Sequence, residues 1–274
     1  MHRRAIVMAF LAGVLWSLGG LLIKQVNWNP LAIAGARSAI AALVLMAFLR
    51  RPRLTWSRAQ IGGALAYAAT VILFVAATKL TTAANVILLQ YTAPVYAALL
   101  GAWFFKERVT WLDWLTIAVV LGGMVLFFLD RLTAGGLWGN VLALASGVSY
   151  ASLIVLLRAQ KDSSPMETAM LGNMLTALVG LPFMFQGAPS AAGWVSLLLL
   201  GVFQLGLPYV LYSTAIKYIT ALEGALVPAV EPILNPLWVF LVIGEAPGRG
   251  AFFGGAIVLA AVTGRYVVSA RRRS

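Results

Sequence analysis

The sequence predicts an all-α polytopic membrane protein whose ten transmembrane helices form two inverted five-helix repeats, and three features carry that expectation. Apolar residues make up 62% of the 274 positions and charged residues 10%, long apolar runs alternate with short polar breaks, and a set of residues returns at a fixed offset. A water-soluble surface cannot be assembled from so little charge. An ordinary soluble domain is about a quarter charged, and even one of roughly 300 residues leaves about a quarter of its chain surface in water. Lipid must cover much of this chain.

A helix needs roughly 20 apolar residues to cross the hydrocarbon core. Runs of that size fall at about 5–24, 30–49, 60–79, 83–104, 112–130, 137–158, 166–186, 191–215, 221–243 and 250–270. The first run is apolar from Ala5 for a full span, so it is expected to stay in place and not to be cleaved as a signal peptide. Turn chemistry separates it from the second at Asn27-Trp28-Asn29-Pro30, and Arg50-Arg51-Pro52-Arg53 closes the second. Lys106-Glu107-Arg108 ends the fourth, Asp162-Ser163-Ser164-Pro165 parts the sixth from the seventh, and Glu245-Ala246-Pro247-Gly248 precedes the tenth. Every predicted loop is short, and Trp28, Trp56, Trp111, Trp138 and Trp194 fall near span ends, where indole rings favour the headgroup region.

The net charge of +12 would suggest nucleic acid as a partner in a soluble protein. Here the basic residues sit between the apolar runs. Assigning loops alternately to the two sides puts fifteen Lys and Arg on one side, among them Arg3, Arg4, Arg50, Arg51, Arg53, Arg158 and Arg265. The other side holds four, Lys24, Lys79, Arg131 and Arg249, and Arg37 lies inside the second span. This asymmetry predicts that both termini face the cytoplasm, as an even number of spans requires, and it excludes nucleic acid as a partner. The chain has no Cys, and its one His is His2 near the N-terminus. Disulfides, thiolate ligands and cysteine nucleophiles are ruled out, no metal or other cofactor is expected, and a nucleophile with its base is missing, so the chain is not read as an enzyme.

A shift of 138 residues lays Lys79 on Lys217, Thr82 on Thr220, Ala83 on Ala221, Pro94 on Pro232, Leu99 on Leu237 and Glu107 on Glu245. A shift of 134 lays Ala9, Gly13, Val14 and Trp16 on Ala143, Gly147, Val148 and Tyr150, and Lys24 on Arg158. The chain therefore divides into repeats at 1–134 and 135–274 within a single membrane domain. Five spans is an odd number, so the second copy enters the bilayer from the opposite side. Two similar halves of opposite orientation can exchange conformations, which turns an outward-open site into an inward-open one.

With these halves on the page, the whole chain resembles the drug/metabolite transporter superfamily and, within it, the EamA-type ten-helix exporters, including the YddG-like aromatic amino-acid exporters. The resemblance rests on Pro94 followed by the Lys106-Glu107 helix end, on Glu231-Pro232 followed by Gly244-Glu245, and on Gly13-Val14-Leu15-Trp16-Ser17 in the first span. It implies a central cavity enclosed by both repeats and export from the cytoplasm of amino acids, aromatic or otherwise neutral, or of related metabolites. A multi-pass place in the bacterial inner membrane follows as an expectation.

Ionisable groups at mid-bilayer cost several kcal/mol unless they face protein or a wet cavity. Arg37, set among small residues, and Glu231, in the ninth span with Asn235 and Trp238 at i+4 and i+7 on the same face, are the two candidates. Arg37 would attract a substrate carboxylate and Glu231 an ammonium group. Equally, each could serve only to bind backbone groups freed near proline. Aromatic and hydroxyl groups form a second constellation: Trp16 and Ser17, Tyr67, Tyr91, Tyr150 and Tyr209, with Trp16 and Tyr150 at matching repeat positions. These rings would stack on an aromatic or cationic substrate, although packing alone would also hold them. Gln90 and Gln204 are costly in lipid and are expected to face inward. Pro94 and Pro232 interrupt matching spans and are the candidate gating positions, as hinges or as static kinks.

Two other functions stay open at this level. A proton-coupled exporter of lipophilic cations would use Glu231 and an aromatic box. A channel would show a selectivity filter or ring of charges, which the two pseudo-symmetric halves do not suggest. Small faces at Gly122-Gly123 and Gly250/Gly254 allow close helix contact within a monomer or between two copies of a homodimer.

Overall fold

A computed structural model describes residues 1–81, 83–128, 136–163, 165–243 and 249–271. Its described residues form ten helical rods and no strands. In chain order they are α1 (His2–Trp16 and Gly19–Gln25), α2 (Pro30–Leu49), α3 (Arg58–Leu80), α4 (Ala83–Gln90 and Ala93–Phe105) and α5 (Trp111–Phe128). The second five are α6 (Leu137–Ala159), α7 (Pro165–Met184), α8 (Ala191–Leu199, Leu200–Gly206 and Leu207–Ala215), α9 (Ala221–Leu226, Val227–Val230 and Glu231–Ile243) and α10 (Arg249–Arg271). Six of the rods, including all of α1, α3, α6 and α8, are long and apolar enough to cross a bilayer, and α5 and α10 each carry a shorter apolar stretch. In α7 the hydropathy is diluted by Thr168, Asn173 and Thr176, which are fully buried against neighbouring helices and so never meet lipid.

Helix starts are set by polar side chains placed where the chain returns from water. Asn29 accepts from the Leu31 amide ahead of α2, Ser57 from Gln60 ahead of α3, and Ser190 from Gly193 ahead of α8. Thr220 and Glu223 form a reciprocal capping box at the start of α9.

The ends of the rods alternate between two faces. On one face the start of α1 meets the start of α9 (His2 Nε2 to Glu223 Oε1, 3.2 Å), the end of α6 meets the end of α4 (Arg158 Nε to Glu107 Oε1, 2.8 Å), and the end of α10 meets the start of α5 (Arg265 Nη2 to Asp113 Oδ1, 2.5 Å). On the other face Lys79 Nζ donates to Val26 O at 2.9 Å, Trp28 Nε1 donates to Gly187 O at 3.1 Å, and Thr81 and Asn85 meet Asn140. Arg3, Arg4, Arg50, Arg51 and Arg53 all lie on the first face, which is therefore the basic one.

Helix neighbours obey the exchange of each rod with the one five later. Rods α2 and α7, α5 and α10, and α4 and α9 pair with each other; α3 packs on α6 and α7 just as α8 packs on α1 and α2. The same exchange holds at single residues. Gly13 of α1 lies so close to the break in α9 that an added Cβ would stand 2.9 Å from Pro228 Cα and O, and its counterpart Gly147 of α6 lies so close to the break in α4 that a Cβ would stand 2.9 Å from Gln90 O. Gly13→Ala is expected to lower stability in detergent by about 1–3 kcal/mol, because backbone rather than a movable side chain opposes the methyl. Gly122→Ala, where nothing lies within 4 Å, serves as the control and should be neutral or slightly stabilising in a thermal-unfolding assay.

Both predicted gating prolines sit at real discontinuities. In α4 the helix pauses at Tyr91 and Thr92 and restarts with Pro94 in its first turn, and in α9 a 3-10 turn over Val227–Val230 precedes Pro232. Proline lacks the amide hydrogen that would continue the ladder. The two breaks touch: Tyr91 Oη donates to Pro228 O at 2.9 Å. The small face at Gly123 is used within the chain, against Ile257, Val258 and Gly254 of α10. Thr82, Arg131, Gly244 and Glu245, and the expected repeat boundary at 134/135, lie outside the described residues.

Candidate functional site

Between the repeats lies a cavity of about 50 Å3, room for a few water molecules. Its walls come from α1 (Trp16), α2 (Arg37), α3 (Thr70, Val71 and Phe74) and α4 (Gln90) in the first repeat. The second repeat supplies Tyr150 from α6, Gln204, Leu205 and Tyr209 from α8, and Glu231 from α9. A space this small does not hold an amino acid.

Arg37 is 1% exposed and faces this cavity from the middle of α2. Its Nη1 donates to Gln204 Oε1 at 3.0 Å, its Nε has no hydrogen-bond partner, and no described carboxylate pairs with it. Gln204 reaches it from a widened π-helical stretch, Leu200–Gly206, that ends just before Pro208. Pro208 has no N–H to give the carbonyl four residues back, and such local widening re-aims side chains at functional positions. The amide nitrogen of Gln204 reaches back to Trp16 O at 3.5 Å.

Glu231 stands where the last part of α9 begins. Its Oε2 lies 2.8 Å from Tyr91 Oη, whose single proton it shares with Pro228 O, and no described cation pairs with it. Arg37 and Glu231 thus face one cavity without forming an ion pair with each other or with any other described residue.

Aromatic rings complete the lining and its support. Trp16 lies 5.2 Å from Tyr209 and 5.1 Å from Tyr212, and meets Tyr150 edge-on at 6.1 Å between centroids. Tyr67 is fully buried behind Tyr209, with ring centroids 4.6 Å apart. These separations are those at which aromatic pairs attract.

The expected site residues therefore fall into two groups. Trp16, Arg37, Gln90, Tyr150, Gln204, Tyr209 and Glu231 line the cavity. Ser17, Tyr67, Tyr91, Asn235 and Trp238 stand outside that lining. Ser17 Oγ donates to Val14 O at 2.5 Å, where α1 breaks, and accepts from Trp238 Nε1 at 2.7 Å. Asn235 fits against Gly20 of α1, and Tyr91 reaches the site only through Glu231. Gln90 is tied away from the centre by Ser146 Oγ, to which it donates at 2.8 Å. Val71, Phe74, Leu205 and Ser146 went unnoticed in the sequence. Apolar side chains in an apolar span carry no signal, and a single serine shows its role only through its partner.

No group of His, Cys, Asp and Glu among the described residues could hold a metal ion. A cavity lined by both halves of a helical bundle, six of whose rods are long and apolar enough to cross a membrane, is the arrangement a transporter needs. The chain belongs to the EamA-like transporter family, whose model matches residues 3–129 and 137–266, one copy for each repeat. Members of that family are transporters and not enzymes, so a small-molecule substrate and a membrane setting follow.

The chain is similar to an uncharacterized transporter of Archaeoglobus fulgidus, 29% identical over 92% of both chains. It also resembles a probable terminal-alkyne amino-acid exporter of Streptantibioticus cattleyicolor, 27% identical over 89% of this chain and 84% of that one. A solved crystal structure shares the fold at 19% identity, with a TM-score of 0.82 over 100% of both chains.

Proposed function

We propose that this transporter exports amino acids, aromatic or other neutral ones, by alternating access between the repeats 1–134 and 135–274. The observation that carries the reading is a basic and an acidic side chain on one cavity, neither with an ion partner among the described residues. A zwitterion would satisfy both at once, its carboxylate on Arg37 and its ammonium on Glu231. Trp16, Tyr150 and Tyr209 would then take the side chain by ring contact. The relative that is named a probable amino-acid exporter supports the same substrate class. The basic face would lie in the cytoplasm, with both termini, in a bacterial inner membrane.

Counterflow in liposomes tests this. Labelled amino acids should exchange saturably, and aromatic competitors should outcompete cationic ones. If no amino acid exchanges, the assignment falls, and lipophilic cations, which an aromatic box with a carboxylate also suits, become the substrates to try.

Glu231→Gln separates two forms of the proposal. In a facilitator it keeps the Tyr91 contact and weakens exchange by about 10-fold through loss of one charge-assisted bond. In a proton-coupled exporter it abolishes transport driven by a pH gradient while leaving substrate binding measurable.

A further inference from the structure

A second cavity, about 210 Å3 and almost wholly apolar, opens sideways between α1, α9 and α10. Val7 and Phe10 of α1, Val227 and Val230 of α9, and Val258 and Val262 of α10 line it. Val7 and Phe10 are 52% and 42% exposed, and in a membrane-embedded helix that exposure is to hydrocarbon. The crevice is therefore a notch in the lipid-facing wall.

Charge is arranged at one end of the notch. Arg3 precedes Ile6, Val7 and Phe10 by three, four and seven residues, so it continues their stripe toward the membrane surface. Arg3 and Arg4 are exposed, and no described acid pairs with either. Two other described charges at this end are already engaged. Arg265, three residues beyond Val262, is bound to Asp113, while Glu223, four residues before Val227, is held by the Thr220 amide and by His2. What remains is a positive mouth above an apolar slot.

We propose that this notch binds an anionic phospholipid, with one acyl chain between α1, α9 and α10 and the phosphate at Arg3 and Arg4. Anionic lipid gathers at basic residues on the membrane surface, and the slot supplies the second, apolar half of recognition. The floor of the slot is the Val227–Val230 turn, whose Pro228 O takes the Tyr91 hydroxyl. A seated lipid would thus press on the one break in α9 that touches the break in α4.

Native mass spectrometry of the purified full-length protein, titrated with phosphatidylglycerol or phosphatidylcholine of equal chain length, tests the site. One phosphatidylglycerol should be retained preferentially. Replacing both basic residues, Arg3→Gln with Arg4→Gln, should weaken its retention by about 10-fold, and so should Val7→Phe, which fills the slot from an exposed position that folding tolerates. The variant Arg50→Gln with Arg51→Gln removes equal charge elsewhere on the same face and should leave retention unchanged. Equal loss in that variant, retention blind to the headgroup, or full competition by short-chain phosphatidylglycerol or inorganic phosphate would each overturn the proposal.

Discussion

Arg37→Gln is expected to cut amino-acid counterflow by about 10- to 100-fold while leaving thermal stability unchanged or higher. The two effects run in opposite directions for one reason. Arg37 is a buried cation with a single neutral hydrogen-bond partner and no described counter-ion. Removing a buried charge relieves desolvation that, among the described residues, only the Gln204 hydrogen bond offsets. If the guanidinium serves a substrate carboxylate, the same change deletes a charge-assisted bond worth about 1.5–3 kcal/mol.

A purely structural arginine behaves otherwise, since its loss would lower stability and transport together. Substrate analogues sharpen the distinction. Wild-type protein should prefer an amino acid over its uncharged amide, and Arg37→Gln should erase that preference even where some transport survives. Persistence of the preference would remove Arg37 from the carboxylate site.

Arg158→Gln is expected to open the basic face several-fold. Arg158 donates from Nε to Glu107 at 2.8 Å and from Nη1 to Ile219 O, and its guanidinium lies 5.6 Å from the centre of the Phe105 ring. It therefore ties the end of α6 to the end of α4 and to the link between α8 and α9, on the side where the cavity would have to open. Both partners are only about one-fifth exposed, so removing the guanidinium leaves the Glu107 carboxylate largely shielded from water without its cation. Loss of the contact to the carbonyl of buried Ile219 removes a second partner, and that adds to the effect.

The chain has no Cys, so labelling is free of background. A single cysteine in place of Val71, on the cavity wall, reports opening when an impermeant maleimide is applied from the basic face. Faster labelling in Arg158→Gln, with a matching rise in exchange rate, is the expected outcome. Equal labelling rates would show that this face is not closed by Arg158.

Much of the architecture was legible because the bilayer simplifies the problem. Every backbone polar group must be satisfied inside its own segment, so an apolar run of sufficient length has only one conformation open to it. The ten predicted spans match the ten rods for this reason, and the repeat was visible in matched pairs such as Pro94 with Pro232 and Gly13 with Gly147. The pairing of Gly13 with Pro228 and Gly147 with Gln90 then followed from sterics that glycine alone permits.

The candidate site was legible only in part. Arg37, Glu231, Gln90 and Gln204 stood out because polar groups are expensive in lipid and must turn inward. The sequence could not say that Tyr91 and Trp238 would be spent on holding Glu231 and Ser17, since a polar ring tip takes whichever partner the packing presents. Likewise the reach of Gln204 to Arg37 depends on a π-helical stretch that no spacing rule foretells.

By itself, then, the sequence determined membrane residence, the ten helices, their alternation and their duplication, because hydrophobic length and helix propagation are local properties read along one chain. Only the tertiary structure decided which described charges lack an ion partner, which aromatic rings face the cavity and where the wall carries an apolar notch. Those properties depend on contacts between residues more than one hundred positions apart, and no local pattern encodes the direction in which a side chain meets them.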